Sequence, residues 1–159
     1  MCSAAECRNR EPFLNAQGPD MCDILVVEDN EKFRSMLFRS LTARYPAAEV
    51  RAVESGEVAV EICEEACPRV VFLDIMLPGI NGLQVTEKIR SQRCDVYIAM
   101  VTGNDYPEYR EAAERKGADF FISKNTARLE EILALAGALL EDENLTGPES
   151  DKFRLSSTA

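Results

Sequence analysis

Short runs of apolar, largely β-branched residues alternate along the chain with segments whose apolar residues recur every three or four positions, and the alternation repeats five times. "DILVV" over 23–27 reads as a strand, and the segment after it carries Phe33, Met36, Leu37, Leu41 and Tyr45 as one helical stripe. "AEVRAV" over 48–53 reads as a second, more exposed strand, followed by a helix with Val58, Ile62, Cys63 and Ala66 on one side. "RVVFL" over 69–73 is a third strand, with a helix over 83–90. "VYIAMV" over 96–101 and "ADFFIS" over 118–123 are the fourth and fifth, followed by helices over 107–116 and 127–140.

Strict alternation of strand and helix predicts an α/β domain with a parallel sheet and right-handed crossovers that put helices on both faces. Three of the strands are apolar at nearly every position, as strands covered on both sides must be. Five such units match the doubly wound, flavodoxin-like five-stranded sheet of order 2-1-3-4-5, in which function sits at the carboxyl ends of the strands. The segments 1–21 and 141–159 fall outside the alternation. The first carries Pro12, Gly18 and Pro19 with little periodicity, the second is polar and acidic, and both read as flexible tails flanking a domain over 22–140.

The residues just past the strands are the chemically informative ones. "VVFLDIMLPGI" runs apolar residues into Asp74 and straight out again, a costly place for a carboxylate unless a charge meets it or it lies at an open edge. Glu28 and Asp29 follow the first strand, Thr102 the fourth and Lys124 the fifth. In the order 2-1-3-4-5 the first and third strands are neighbours about 4.8 Å apart, so Glu28, Asp29 and Asp74 converge. Carboxylates that close repel one another and their pKa values rise unless a cation intervenes. Hard oxygen ligands at a solvent-open edge select Mg²⁺. Each residue also has an ordinary use: Asp29 or Asn30 as the N-cap of the first helix, Asp74 as a loop carboxylate before the "LPG" turn, Thr102 as a cap of the fourth helix, Lys124 as a solvated charge.

"ILVVEDN", "VVFLDIMLPGINGL", "MVTGND" and "GADFFISK", in that order and spacing, resemble the response-regulator receiver domain of two-component systems over 23–140. The resemblance implies that Asp74 is the phosphoacceptor, Asp29 a direct Mg²⁺ ligand, Glu28 an acidic neighbour acting mainly through water, and the Met76 backbone carbonyl a further ligand. It makes Thr102 the hydroxyl that meets the phosphoryl oxygen, Lys124 the cation that pairs with it, and Phe121 the switch aromatic. Asn125 departs from the family, standing where proline is usual after the lysine. The implied partners are a histidine kinase or phosphotransfer protein and a downstream protein, and the implied role is a stand-alone signalling switch rather than a turnover enzyme.

Composition narrows the alternatives. A formal charge of −10 opposes a nucleic-acid surface, which needs clustered Lys and Arg. "ILALAGALL" falls well short of the ~18 apolar residues of a membrane span, and the start of the chain has no apolar signal core, so the expected location is cytoplasmic. The six cysteines form no C-x-x-C pair, histidine is absent, and Cys63 and Cys67 read as buried thiols on one helical face. A Mg²⁺-dependent phosphohydrolase using Asp74 is the main competing function. Haloacid-dehalogenase phosphatases, which share the aspartyl nucleophile, place a second aspartate as general acid where this chain has Met76. A flavin carrier is opposed by Glu28 and Asp29, which would repel a phosphate that no metal bridged. Leu129, Ile132, Leu133, Leu135, Leu139 and Leu140 form a wide apolar surface, more of it expected in the core than at a dimer face, so a monomer or weak homodimer is expected.

Overall fold

Alternating side chains on four short strands and one longer one build the centre of the molecule. The computed structural model describes residues 22–92 and 95–141. In chain order these form β1 (Ile24–Val27), α1 (Glu31–Arg44), β2 (Val50–Val53), α2 (Gly56–Ala66), β3 (Val70–Leu73), α3 (Gly82–Ser91), β4 (Tyr97–Thr102), α4 (Pro107–Lys116), β5 (Phe120–Ser123) and α5 (Leu129–Glu141). All strand pairs are parallel and the sheet order is β2-β1-β3-β4-β5, as the alternation predicts. The expected tails lie outside the described residues, apart from Glu141, which closes α5.

The period of two along the strands divides the interior into two cores. Leu25, Val27, Val71, Leu73, Ile98, Met100 and Phe121 face one way, toward α2, α3 and α4. Ile24, Val26, Val70, Phe72, Ala99, Val101, Phe120 and Ile122 face the other, toward α1 and α5. Ile132, Leu135, Leu139 and Leu140 of α5 are buried there, so most of the apolar surface of that helix is core.

Two stripes differ from the sequence reading. In α1 the inward line is Phe33, Leu37, Leu41 and Tyr45, four residues apart, and Met36 stands 41% exposed because one residue turns the helix by about 100°. In α2 the buried line is Gly56, Ala59, Cys63 and Ala66, while Val58 is 41% exposed. The small residues are there because the helix approaches α3 closely: a Cβ on Gly56 would lie 2.5 Å from the Val85 side chain. Cys22 and Cys63 are buried free thiols whose pKa burial pushes up to about 12. Cys67 departs from the expectation. The helix ends at Ala66, Cys67 caps it in the left-handed conformation with φ 44°, and it is disulfide-bonded.

Candidate functional site

Parallel register fixes where the acidic residues leave the sheet. Val27 is level with Leu73, so Glu28 and Asp74 emerge side by side from adjacent strands. The Asp74 N–H donates to the Val27 carbonyl at 3.0 Å and the Glu28 N–H to the Val53 carbonyl at 3.0 Å, which ties both residues to the sheet edge. Glu28 is 2% and Asp74 6% exposed, whereas Asp29 is exposed. Carboxylate oxygens of the three residues lie within 4.8 Å of one another.

The charge that meets Asp74 comes from the far side of the sheet. Lys124 follows β5 and its N–H donates to the Thr102 carbonyl at 2.9 Å, which aims the side chain across the end of β4. Its Nζ donates to Asp74 Oδ2 at 3.2 Å and, more closely, to Glu28 Oε2. Glu28 Oε1 accepts from the Asn30 N–H at 3.0 Å, so both oxygens of that carboxylate are engaged. Burial raises the Glu28 carboxyl above the usual carboxylate range and the Asp74 charge adds to the rise, while Lys124 and the Asn30 N–H hold it down. The lysine is thus the intervening cation that clustered carboxylates require, and it is no solvated charge.

The ordinary uses of the neighbouring residues separate in the same way. Asn30 is the N-cap of α1, its Oδ1 accepting from the Phe33 N–H at 3.0 Å, which leaves the Asp29 carboxylate outside the capping role. Arg34 pins the loop from one turn on, donating to the carbonyls of Glu28 at 2.8 Å and Asp29 at 3.2 Å. Thr102 is fully buried and its Oγ1 accepts from the Asn104 N–H at 3.2 Å, but the N-cap of α4 is Tyr106, so Thr102 does not cap that helix. Phe121 is 1% exposed, with the Arg110 guanidinium 4.7 Å above its ring. Met76 presents an exposed side chain at the mouth of the site, and its N–H points at Asp74 Oδ1 at 3.4 Å.

Glycines set the backbone that carries Asp74. Gly82 opens α3 against the carbonyl of Asp74, and a Cβ there would also come within 2.8 Å of the Ile75 Cα. Gly79 adopts φ +75°, and a side chain on it would run into the Glu57 carboxylate, which accepts from the Ile80 N–H at 3.0 Å. Gly103, by contrast, has open space where its Cβ would be, so no neighbour crowds that position beside Thr102.

Several contributors carry no mark in the sequence. Phe33, read as core, places its ring 4.5 Å from the Lys124 ammonium. Asp105 and Asn125 tie the loops after β4 and β5 together: Ser123 Oγ donates to Asp105 Oδ2 at 2.6 Å and Asn125 Nδ2 to the Gly103 carbonyl at 2.9 Å. The Lys124–Asn125 peptide is trans, as are all those among the described residues.

Three carboxylates against one ammonium leave the pocket net negative, and the exposed member, Asp29, faces the open edge. That donor set, all hard oxygen, fits a divalent cation such as Mg²⁺.

The family model of the response regulator receiver domain matches residues 24–136, spanning every strand and the site between them. The chain belongs to the response-regulator receiver family. The receiver is 37% identical over 117 residues to the response regulator MprA of Mycolicibacterium vanbaalenii, covering 74% of this chain and 49% of that protein. It thus spans about half the length of the curated relatives it matches. Among solved structures it resembles a LuxR-family DNA-binding response regulator from Staphylococcus aureus, with TM-score 0.69 and 26% identity over 76% of this chain and all of that one. A CheY-like receiver domain protein from Methanospirillum hungatei shares the fold at TM-score 0.69 and 22% identity, covering 80% of the receiver and 99% of that chain.

Proposed function

We propose that this receiver accepts a phosphoryl group on Asp74 from a histidine kinase or phosphotransfer protein and passes the signal on by contact with a downstream protein. The observation that carries this is the setting of Asp74: a nearly buried carboxylate at the switch point, beside Glu28 and Asp29 and bonded to Lys124. One Asp74 oxygen attacks the donor phosphorus in line, an acyl phosphate forms, and the bond to the donor's leaving atom breaks with its electron pair going to that atom. Lys124, already at Asp74 Oδ2, pairs with the phosphoryl oxygens as they arrive, and the Thr102 hydroxyl lies at the end of the neighbouring strand to hydrogen-bond them. Asp29 and Asp74, with Glu28 behind them and the Met76 carbonyl alongside, would hold Mg²⁺. When bound, the ion supplies neutralisation of charge on the transferring group.

The same reading makes the chain a switch and not a turnover enzyme, since Met76 offers no proton for a departing group. Among the described residues no helix is long and apolar enough to cross a membrane, and the reading places the protein in the cytoplasm with its kinase. The negative charge favours a protein over a nucleic acid as the direct target.

Intact-mass measurement after incubation with a small acyl-phosphate donor and Mg²⁺ tests the assignment. One added phosphoryl group is expected in the parent and none in Asp74→Asn. Labelling that survives the substitution overturns the choice of Asp74, and release of many equivalents of phosphate from small esters would favour the phosphohydrolase.

A further inference from the structure

We propose that Phe33 is a positioning residue for Lys124, its ring forming a seat without a fixed direction that holds the ammonium level with Asp74 while its hydrogen-bond partners change. The inference rests on the reading of Lys124 as the cation that meets the phosphoryl group. Lys124 Nζ stands 4.5 Å from the centroid of the Phe33 ring, inside the ~6 Å reach of a cation–π contact. The lysine side chain is only 19% exposed, so the attraction acts in a partly desolvated place where it is stronger.

Phe33 is itself held on two sides. It packs against the core that contains Leu37 and Leu41, and its N–H donates to Asn30 Oδ1. Asn30 in turn donates to Glu28 Oε1, and Lys124 closes the circuit on Glu28 Oε2. Lysine, ring, helix cap and acid therefore form one loop of contacts, joined to the nucleophile through Lys124.

An ammonium has three donors on a flexible stem, and a carboxylate partner fixes it in one direction only. When a phosphoryl group arrives on Asp74, Lys124 must exchange a carboxylate oxygen for a phosphoryl oxygen. An aromatic face attracts the cation whichever way its N–H bonds point. It can keep the ammonium in place through that exchange, which no hydrogen-bonding wall could do without competing for the same donors.

The test compares the parent with Phe33→Leu, which keeps apolar packing, and Phe33→Tyr, which keeps the ring. Proton NMR of the Lys124 ε-methylene group should show an upfield ring-current shift in the parent and the Tyr variant, lost in the Leu variant. The rate of acyl-phosphate labelling at Asp74 should fall about three- to tenfold in Phe33→Leu and stay near the parent rate in Phe33→Tyr, the range set by the strength of a partly desolvated cation–π contact. If Phe33→Leu does not fold, Phe33→Met serves with the same expectation. An unshifted ε-methylene in the parent, a Leu variant labelled at the parent rate, or a Tyr variant as slow as Leu overturns the proposal. A parent with the NMR shift that never takes phosphate overturns the phosphoacceptor reading instead and leaves the seat standing.

Discussion

Asp74 and Glu28 are both nearly buried and share a single lysine, so one ammonium faces two carboxylates before any third charge is counted. Truncating that lysine leaves two acids facing each other with little water. Lys124→Met should destabilise the fold at neutral pH by about 3 kcal/mol, in the range for unpairing buried charge. The pH dependence has a definite sign. A carboxyl whose folded pKa is raised binds more protons folded than unfolded, so stability falls as pH rises from the ordinary carboxylate value through the raised one. Losing Lys124 removes two of the influences that hold Glu28 down, so the window widens upward and the variant should regain stability on acidification. Denaturant melts of parent and variant across mildly acidic to neutral pH check this. Parallel curves would mean that the lysine does not neutralise Glu28.

At the scale of elements, the loops after β4 and β5 behave as one unit. Ser123 bonds Asp105, Asn125 bonds the Gly103 carbonyl, and Lys124 bonds the Thr102 carbonyl, so whatever moves Thr102 pulls on the approach to α4. Phe121 lies beneath Arg110 of that same helix. Thr102 has a buried hydroxyl whose one hydrogen bond among the described residues is local, from the Asn104 N–H two residues on. A phosphoryl group on Asp74 brings new charge and strong acceptors to which that hydroxyl can turn. Thr102→Ala should therefore still be labelled at Asp74, while the phosphorylation-dependent change in amide exchange over 106–116 becomes much smaller than in the parent. A full change in the variant would place the switch elsewhere. The exchange of one charge-assisted hydrogen bond supplies part of the ~5.5 kcal/mol that a near-complete two-state shift demands.

For the molecule as a whole, all five strands, the helices that cover both faces of the sheet and every residue of the candidate site fall within 24–141. A protein of residues 21–140 should fold cooperatively and be labelled at the full-length rate; a severe loss in melting temperature or rate would show that an end segment packs on the domain. Strand order and the edge at which the acids gather were legible in the residue pattern alone. A period of two in the strands, broken by helical periods, admits few ways to cover a parallel sheet, and residues following strands must fall at its carboxyl edge. The same pattern also marked Asp74, because a carboxylate set between apolar runs demands a partner. Tertiary structure decided what that partner was, since Lys124 lies 50 residues away and reaches the acid only through the placement of β5 beyond β4. It decided between Asp29 and Asn30 as helix cap, which are equivalent by residue type and differ only in the backbone angles of the turn. It moved Met36 and Val58 out of the core, because a stripe read from spacing alone can slip by one residue while the true face is chosen by the neighbouring helices. And it turned Phe33 from one more apolar position of α1 into the wall beside the ammonium, a role invisible in any pattern because it depends on where a distant side chain ends.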